Sequence, residues 1–553
     1  MDNKIDSISL LDCTLRDGGY VNGWNFTLDF AKALYASVSE AGVPYIEIGF
    51  INPGSKDDQL WTNVGPKTIA ALREHHPNGA KIAVMIDFGK VGLDDVPPQK
   101  ELGADLIRVA TPKGNREEAT AFSATLAEKG YTTTVNYMAI TTYSTDELFD
   151  LVGIINKHRD RVGYSYIADS FGALLPRRIR EILTILTLGC QGARLGFHPH
   201  NNLQLAFANT LEAIDAGVSI VDGSVFGMGR GGGNLNLEAI LAYLEREGSE
   251  RYHLTPVLSF ADVYMQGLRQ SHSWGYSLPQ LLSGTLGCHP NYPSRLLEQK
   301  NFTAEEIYEL LTIMPEDYKG RYSRERLLEL TNTSQRAILQ RIHKVLDPCV
   351  KELVQRSHGK VLLLCGGPSV GKSLGRLQEY RKRKESAVVS VHNPRSAIAP
   401  DALFFGNSRR LLEYRSEMDG AAAVILGPSI NTSVERNASL SRVTRVTLSD
   451  LFVEERSAFP SVMPSNSGVE AILALVECGF SEILIAGMDG YAEKGPLYYY
   501  NEVDAVPSAE TRRELNRVNQ EELRIARELL QRRNASFRIV TETSYADFFD
   551  PKL

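Results

Sequence analysis

The sequence contains no apolar run of about 18 residues, so we predict no membrane-spanning helix. Its N-terminus lacks the basic-then-apolar pattern of a secretory signal. The 6 cysteines are scattered and form no CxxC pair, which argues against a disulfide framework and against a zinc knuckle. We therefore expect reduced thiols and a cytoplasmic protein.

A strong charge of either sign is also missing. The net charge is -7, which gives no reason to expect a nucleic-acid partner. The sequence has no solenoid repeat and no low-complexity tract. Hydrophobic residues make up 43% of the chain and charged residues 23%, as in globular proteins, and 553 residues exceed one ordinary domain.

Short apolar runs alternate with amphipathic helical stretches over the first half of the chain. The runs read SISLLDCTL, PYIEIGF, KIAVMID, LIRVAT, TTTVNYMA, GYSYIAD, RLGFHPH and SIVDGSV. Near-continuous apolar strands that alternate with helices indicate a parallel sheet covered on both faces. The number of such units favours a closed (β/α)8 TIM barrel, with a doubly wound open sheet as the alternative.

We predict three regions along the chain. The barrel takes residues 1–250, and a helical extension over the barrel mouth takes residues 251–350. Residues 351–553 carry a further set of apolar runs, VLLLCGG, AVVSVHN, ALFFGN, AAAVILG, EILIAGMD and FRIVT, which predict a Rossmann-like α/β domain.

Polar residues gather at the carboxyl ends of the predicted barrel strands, where barrel active sites lie. His198 and His200 end the seventh run, and residues i and i+2 of a strand point to the same side. With Asp17 after the first run they would make a site of two histidines and one carboxylate, with open positions for substrate oxygens. Arg16 would offer a planar cation to a carboxylate or an enolate. The alternative is a polar network at a strand end, with Arg16 and Asp17 as a plain ion pair.

Two segments resemble the signature regions of the 4-hydroxy-2-oxovalerate aldolase family. They are DCTLRDGG (12–19) and GFHPHNNLQLAFANTLEAIDAGVSIVDGSVFGMGRGGGNLNLEAI (196–240). The resemblance covers roughly residues 7–300 and extends to a wider group that includes hydroxymethylglutaryl-CoA lyase and isopropylmalate synthase. It implies Mn²⁺, with Mg²⁺ or Co²⁺ as alternatives, on Asp17, His198 and His200. It also implies a substrate contact for Ser170 and a place for Asn234 beside the metal.

The chemistry that this resemblance implies is carbon–carbon bond cleavage by a lyase. The small-molecule partners would be a 2-oxo acid and an aldehyde, and Arg16 would stabilise the pyruvate enolate that forms between them. A Claisen-type lyase or synthase acting on acyl-CoA is an alternative, and so is a non-catalytic scaffold. We also expect a homo-oligomer.

The sequence departs from the family pattern at the general base. The family places a histidine three residues after the metal-binding aspartate, and this chain has Tyr20 there. A tyrosine of ordinary pKa near 10 is a poor base at neutral pH. His289 in GCHPNYP would replace it if that loop folds over the mouth, with Tyr292 orienting the substrate. The alternative for His289 is an ordinary loop histidine.

A glycine run, GMGRGGGNLN (227–236), follows the eighth predicted strand. It is read either as a tight βα turn or as backbone amides presented to an anionic group. In the second reading, Arg230 contacts a phosphate or a carboxylate of the substrate.

The last region offers two interpretations of its first glycine turn. The residues Gly366, Gly367, Pro368, Ser369, Val370, Gly371, Lys372 and Ser373 match GxxxxGK[ST], a P-loop of a kinase or other NTPase, with Asp489 as a second acidic group for Mg²⁺. More of the region is similar to bacterial sialyltransferase-like and motility-accessory glycosyltransferase families, in which the glycine turn and Asn393 would hold a nucleotide-sugar. We favour the second interpretation, in which Lys372 is a solvated helix residue. Joined to the barrel, such a domain suggests a sugar-like aldehyde as the substrate.

Overall fold

The computed structural model describes residues 5–54, 60–298, 302–331, 347–383, 385–393, 396, 398–418, 423–428, 430, 443–446, 466–491 and 509–553. The chain forms two compact units. The first comprises Met1–Arg295 and Met314–Tyr322, and the second comprises Leu296–Ile313 and Ser323–Leu553. The helical stretch after residue 250 therefore contributes to both units.

The first unit is built on a closed barrel of eight parallel strands, paired in sequence order with the last beside the first. This confirms the predicted TIM barrel and excludes the open sheet. The strands are β1 (Ser9–Asp12), β2 (Tyr45–Phe50), β3 (Lys81–Asp87), β4 (Leu106–Thr111), β5 (Thr132–Tyr137), β6 (Tyr164–Asp169), β7 (Leu195–Pro199) and β8 (Ile220–Gly223).

Helices surround the barrel and pack on the outward-facing apolar residues of its strands. Several begin at side-chain caps, as Ser144 and Glu147 show by bonding each other's backbone amides at one helix start. The helices of this unit are Gly19–Asn22, Leu28–Glu40, Pro66–His75, Gln99–Leu102, Arg116–Ala127, Thr145–His158, Pro176–Gly189, Ala206–Asp215, Leu237–Arg246, Thr255–Phe260, Gln266–Ser271, Leu278–Leu286, Asn291–Glu298 and Glu316–Lys319.

The barrel interior changes from apolar to charged along its axis. Near the amino ends of the strands, Leu11, Ala83, Leu106 and Tyr164 fill the interior as one apolar cluster. Above it, the strand interiors carry buried charges from β2, β4 and β8. Since inward-facing residues of alternate strands form layers in such barrels, these charges form a floor beneath the mouth.

The second unit contains a seven-stranded parallel sheet in the order β13-β12-β11-β10-β9-β14-β15. Its strands are β9 (Lys360–Leu364), β10 (Ala387–Val391), β11 (Ala402–Phe405), β12 (Ala423–Leu426), β13 (Val443–Arg445), β14 (Glu482–Ala486) and β15 (Ser536–Ile539). The helices of this unit are Ala304–Thr312, Pro348–Arg356, Ser369–Lys372, Leu374–Lys382, Ser408–Glu413, Ser467–Cys478 and Ala509–Gln531.

Alternate residues of this sheet enter different apolar clusters. Val361 and Leu363 of β9 pack with the helices Ser467–Cys478 and Ala509–Gln531, whereas Leu362 and Leu364 pack with residues of Leu374–Lys382. The sheet is therefore covered on both faces, as its apolar runs predict. A Rossmann-like binding role for it stays a prediction. Within the described ranges, no helix combines the length and the apolarity needed to cross a membrane.

Candidate metal centre

Three side chains from opposite ends of the barrel sequence converge at its mouth. Asp17 follows β1, and His198 and His200 occupy the end of β7 and the position after it. Each offers one ligand atom, and these atoms lie within 4.8 Å of one another. All three residues are buried. The spacing and the donor types fit a divalent cation with open positions for substrate oxygens.

Each histidine presents its Nε2 atom to the centre because its Nδ1 atom is engaged elsewhere. His198 Nδ1 lies 2.8 Å from Asp222 Oδ2, and His200 Nδ1 lies 3.2 Å from the carbonyl oxygen of Gly233. An acceptor at Nδ1 places the proton there and leaves the lone pair on Nε2. Both imidazoles are thus held in the tautomer that a metal requires.

The protonation states also suit a cation. Burial alone would raise the pKa of Asp17, but Arg16, both histidines and Arg230 hold that pKa well below its usual value. Burial lowers the pKa of His200 to about 3. At neutral pH the centre therefore offers an anionic carboxylate and a neutral imidazole, the forms that bind metal ions.

Asn234 lies at the same point. Its backbone pairs with that of His200 in an isolated antiparallel bridge, and its Nδ2 group donates to Asp17 Oδ2 at 2.8 Å. The Oδ1 atom of Asn234 is buried and has no hydrogen-bond partner among the described residues. A buried amide oxygen left open is costly unless a ligand fills it, so this atom fits a fourth ligand position.

Arg16 is fixed between two carboxylates beside the metal ligands. Its Nη1 lies 2.6 Å from Asp17 Oδ1, and its Nε lies 2.6 Å from Glu47 Oε2. Burial would lower the pKa of Arg16, but Glu47 and Asp17 raise it well above the usual value. The guanidinium is therefore a permanent, oriented cation at the mouth.

A chain of alternating charges below the mouth joins Arg16 to His198. Arg108 Nη1 lies 3.1 Å from Glu47 Oε2, and Arg108 Nη2 lies 2.5 Å from Asp222 Oδ2. Asp222 in turn holds His198. All of these side chains are buried, so each charge depends on its neighbours for compensation.

Sequence reasoning missed the roles of Arg108 and Asp222. The signal was present, because each is a charged residue in the middle of an otherwise apolar strand run, LIRVAT and SIVDGSV. A charge in such a position has to face a partner inside the barrel. Pairing the two charges across strands would have identified the floor of the site.

Ser170 and Arg230 lie together at the β6 side of the mouth. The Ser170 hydroxyl oxygen accepts from the amide of Ala139 at 2.8 Å, and Arg230 Nη2 donates to the Ser170 carbonyl at 3.3 Å. Arg230 is close enough to the centre to lower the pKa values of Asp17 and His200. Both predicted substrate contacts are thus placed at the rim of one site.

Tyr20 stands at the mouth, 46% exposed, with its ring against Trp24 at a centroid distance of 4.6 Å. Desolvation raises the pKa of Tyr20, although Arg16 and Arg230 partly offset the effect. A phenol with a raised pKa is an even weaker source of phenolate at neutral pH. Tyr20 therefore lies where a general base is expected, but its pKa is too high for that role.

His289 lies in the loop between Leu278–Leu286 and Asn291–Glu298, with its ring 6.4 Å from that of Phe171 just after β6. Its Nδ1 accepts from the amide of Asn291 at 3.2 Å, which places the ring proton on Nε2. Burial, assisted by Arg230, lowers the pKa of His289 to about 4. Neutral His289 therefore presents a donor, whereas a base needs a lone pair.

Tyr292 is fully buried, and its single hydroxyl hydrogen is shared between the carbonyl oxygens of Tyr318 and Arg321, which lie 3.2 and 3.0 Å from the hydroxyl oxygen. The hydroxyl is therefore engaged within the helical extension. This geometry makes Tyr292 a support for the loop that carries His289, which differs from the predicted contact with substrate.

The glycine run after β8 passes directly over the ligands. A Cβ atom on Gly229 would lie 2.3 Å from Asn234 Nδ2 and 2.7 Å from Asp17 Oδ2. Gly231 has a φ of 68° in the left-handed region. Close approach and turn geometry both require glycine here, so the tight-turn interpretation accounts for the run.

The predicted nucleotide residues of the second unit lie at the carboxyl ends of β9, β10 and β14. The sheet order reverses between β9 and β14, where ligands bind in many open α/β sheets. The sequence predicts nucleotide contacts there for Gly366, Gly367, Ser369, Lys372, Ser373, Asn393 and Asp489.

Ser369 and Asp489 bond each other, whereas Gly367 and Lys372 contact residues outside this set. Ser369 donates its amide to Asp489 Oδ2 at 2.7 Å and its hydroxyl to the same carboxylate. Gly367 donates its amide to the carbonyl of Gly487 at 2.8 Å. Lys372 Nζ lies 2.8 Å from Glu542 on an exposed surface. A P-loop would direct the Ser369 amide and Lys372 towards phosphates, and here both are engaged with carboxylates.

Comparison with known proteins assigns the barrel to a family. Residues 7–264 match the HMGL-like family model. An oxaloacetate decarboxylase of Mycobacterium tuberculosis is 31% identical over 252 residues, which are 43% of this chain and 70% of that protein. A 4-hydroxy-2-oxovalerate aldolase of Bacillus cereus is 30% identical over 248 residues, 44% of this chain and 72% of the relative.

Among solved structures, the N-terminal domain of an aldolase candidate from Bacteroides vulgatus superimposes with a TM-score of 0.49 at 26% identity. The superposition covers 55% of this chain and 99% of that domain. The sequence relationships to the curated relatives extend over more than two thirds of their length. Through residues 7–264, the chain therefore belongs to the HMGL-like family.

Proposed function

We propose that the barrel is a divalent-metal-dependent carbon–carbon lyase that produces the enolate of pyruvate from a 2-oxo acid. In the aldolase form of this reaction, a 4-hydroxy-2-oxo acid splits into pyruvate and an aldehyde. The observation that carries the proposal is the convergence of Asp17, His198 and His200 beside a fixed Arg16. The aldolase and decarboxylase names of the relatives support the same class of reaction.

The ligands proposed for the ion are Asp17, His198, His200 and the open Oδ1 of Asn234. Mixed nitrogen and oxygen donors suit Mn²⁺, with Mg²⁺ and Co²⁺ as alternatives. When bound, such an ion polarises the keto group of the substrate.

The chain's own residues would stabilise the charge that develops on the keto oxygen. Arg16 uses Nη1 and Nε on Asp17 and Glu47, so its Nη2 group would donate to that oxygen. Arg230 and Ser170 at the rim would orient the substrate carboxylate or a neighbouring oxygen. Because Glu47 and Asp17 already hold the guanidinium, it would need no reorganisation as the charge forms.

A second reaction of the same class is decarboxylation of a 2-oxo acid with a carboxylate on C3. It is favoured because neither of the predicted bases at the barrel mouth is suited to accept a proton. Aldol cleavage requires removal of the 4-hydroxyl proton, whereas decarboxylation releases CO₂ and leaves the same enolate without a base. Of the predicted bases, Tyr20 has a raised pKa, and His289 presents its protonated nitrogen. In aldol chemistry, His289 would act as a hydrogen-bond donor to the aldehyde oxygen.

The test is pyruvate release from 4-hydroxy-2-oxopentanoate and from oxaloacetate, each with Mn²⁺, by the wild type and His200→Ala. Mn²⁺ without protein corrects for spontaneous oxaloacetate decay, and Lys372→Ala is the matched control on an exposed residue. Release that depends on His200 supports the lyase, and the substrate ratio separates its two forms. Equal rates for wild type and His200→Ala would reject the metal centre and leave the scaffold or acyl-CoA alternatives.

A further inference from the structure

Asn202 lies in the loop after β7 and is 1% exposed. Both polar atoms of its side chain are engaged, and their partners belong to different parts of the chain. Oδ1 accepts from the backbone amide of Gly232 at 2.9 Å. Nδ2 donates to Gln280 Oε1 at 3.3 Å and, at the longer distance of 3.5 Å, to Ser283 Oγ. Asn202 therefore joins the glycine run after β8 to the helix Leu278–Leu286.

The Oδ1 contact of Asn202 leads to a metal ligand. Gly232 is followed by Gly233, whose carbonyl oxygen lies 3.2 Å from His200 Nδ1 and accepts from the amide of Asn201 at 2.8 Å. The two backbones pack closely here, since a Cβ atom on Gly232 would lie 2.6 Å from the Cα of Asn202. Because the Gly232 amide is fixed, the next residue is restrained, and its carbonyl keeps His200 in the metal-binding tautomer.

The Nδ2 contacts of Asn202 lead to the loop that carries His289. The Ser283 hydroxyl donates to the carbonyl oxygen of Cys288 at 2.7 Å, just after the end of its helix. The helix approaches closely because Gly284 has no side chain, and a Cβ atom there would lie 3.2 Å from the Cβ of Asn202. His289 follows Cys288 directly, so a shift of this helix relative to Asn202 would move His289.

The metal ligand and His289 lie around one cation. Arg230, within the glycine run, is near enough to lower the pKa values of both His200 and His289. Aldol cleavage needs the metal at the keto oxygen and a donor at the hydroxyl oxygen two carbons away, whereas decarboxylation needs only the metal. The spacing between metal and donor therefore matters for one reaction alone, and a misplacement of about 1 Å can cost on the order of 10²-fold in rate.

We propose that Asn202 is the positioning residue that sets His289 relative to the metal ligands and thereby favours aldol cleavage over decarboxylation. The inference rests on the proposed function. In the cleavage, the 4-hydroxyl proton passes to solvent, the C3–C4 bond breaks, and its electron pair enters the enolate. His289 donates from Nε2 to the oxygen that loses its proton, which stabilises the charge on it.

The first measurement is a ratio of two kcat/KM values for the full-length protein with saturating Mn²⁺: pyruvate release from 4-hydroxy-2-oxopentanoate over release from oxaloacetate. Loss of folded or metal-loaded protein lowers both rates and leaves the ratio unchanged. Asn202→Ala and Ser283→Ala should each lower the ratio by about tenfold, because each frees the helix that places His289. His289→Leu should lower it at least as much. An unchanged ratio in Asn202→Ala and Ser283→Ala would overturn the inference.

Combination with His289→Leu separates positioning from general damage. If Asn202 acts through His289, adding Asn202→Ala to His289→Leu should lower the ratio no further, since residues that act as a unit are not additive. Asn209→Ala is the matched control, because Asn209 is also 1% exposed and its Nδ2 donates to the Leu174 carbonyl at 2.8 Å. Its ratio should equal that of the wild type. Additive losses, or a similar loss in Asn209→Ala, would contradict the positioning role.

Amide hydrogen exchange reads both contacts of Asn202 without turnover. Asn202→Ala should speed exchange in the glycine run and in the helix Leu278–Leu286, whereas Ser283→Ala should speed it only in the helix. Ser271→Ala, at an exposed serine of the preceding helix, should change neither segment. Faster exchange in only one segment of Asn202→Ala would show that this residue does not join the two.

Failure of the proposed function is recognised separately. Deuterium exchange from D₂O into the pyruvate methyl group reports enolate formation by the wild type. Absent exchange together with absent pyruvate release means that the proposed function fails, and the role of Asn202 in it fails as well. Exchange and release with an unchanged ratio in the variants mean that only the role of Asn202 fails.

Discussion

The two units place polar residues at the carboxyl ends of parallel strands, and they differ in what those residues leave open. In the barrel, Asp17, His198 and His200 converge while their other atoms are bonded elsewhere, and Asn234 keeps a buried oxygen without a described partner. In the second unit, Ser369 and Asp489 satisfy each other, and Thr541 completes the group by bonding Ser369 at 2.8 Å. Polar residues at strand ends therefore indicate a ligand site only where several ligand atoms converge and are not already bonded to each other.

One histidine from each unit repeats this contrast. His200 in the barrel engages Nδ1 and directs Nε2 at the centre. His392 after β10 uses Nε2 to accept from the amide of Gly406 at 3.1 Å. Burial lowers the pKa of both to about 3. The same lowering of the pKa therefore goes with different roles, which the hydrogen-bond partners reveal.

The largest expected effect concerns the metal ligands of the barrel. His200→Ala removes one of the three convergent ligands, and we expect Mn²⁺ binding to be lost and enolate formation to fall on the order of a thousandfold. Electron paramagnetic resonance of free Mn²⁺ measures the first effect, and methyl deuterium exchange measures the second. The matched change in the second unit, His392→Asn, should leave both unaltered. Retained Mn²⁺ binding by His200→Ala would contradict the assignment.

Arg108→Met should be the most destabilising change in the charge floor. It leaves Asp222 buried without a cationic partner, a situation that costs about 3–5 kcal/mol, while Glu47 keeps Arg16. Hydrogen exchange of peptides from β2, β4 and β8 reports the local loss. Arg381→Met is the control, because Asp401 keeps Arg356 as a partner. Similar losses in both variants would show that the buried charges below the mouth contribute no more to stability than a partly exposed ion pair.

Asp222→Asn sharpens the comparison by altering the partner of a ligand while keeping the ligand. The asparagine would no longer fix the tautomer of His198, and changes of this kind typically reduce metal affinity about 10–100-fold. Isothermal titration with Mn²⁺ measures the affinity. Unchanged affinity would mean that His198 is oriented by packing alone.

The contrast between the two units also explains how much of the fold the sequence predicts. Apolar runs near β1 to β8 predicted the barrel because buried parallel strands are continuous in hydrophobicity, and the family matches confirm the resemblance at the level of the HMGL-like family. In the second unit β13 was missed, because Val443–Arg445 is a short edge strand with little apolar signal.

Site geometry was less accessible than the fold. The sequence identified Asp17, His198 and His200 because their spacing is local or matches a signature. The proton on His289 Nε2 depends on the Asn291 amide, and the contacts of Asn202 depend on distant segments of the chain, neither of which leaves a mark in the pattern. The nucleotide-sugar assignment of the second unit stays a prediction.

Acid should destabilise the second unit through His392. His392 stays neutral in the folded chain to about pH 3, whereas an unfolded histidine takes a proton near pH 6.5. The unfolded state therefore binds more protons in this window, and stability falls as pH drops from about 6.5 towards 3. At pH 5 we expect a loss of roughly 1–2 kcal/mol that His392→Asn abolishes, since asparagine tolerates the positive φ at this position. Urea unfolding of the second unit between pH 4 and 7 measures the slope, and an unchanged slope in the variant would refute this assignment.

The smallest expected effect concerns Lys372 in the glycine turn of the second unit. Lys372 and Glu542 form an exposed pair, with side chains 71% and 74% accessible, so Lys372→Ala should leave the stability of the second unit unchanged. If the glycine turn were a P-loop, the same substitution would abolish ATP·Mg²⁺ binding, because this lysine would contact the phosphates. Equilibrium dialysis with ATP therefore separates the interpretations at one residue. We expect no Lys372-dependent binding, because Asp489 already occupies the amide of Ser369 that a phosphate would need. Binding lost in Lys372→Ala would show that Asp489 can be displaced, and that the second unit is a site held closed in the absence of its ligand.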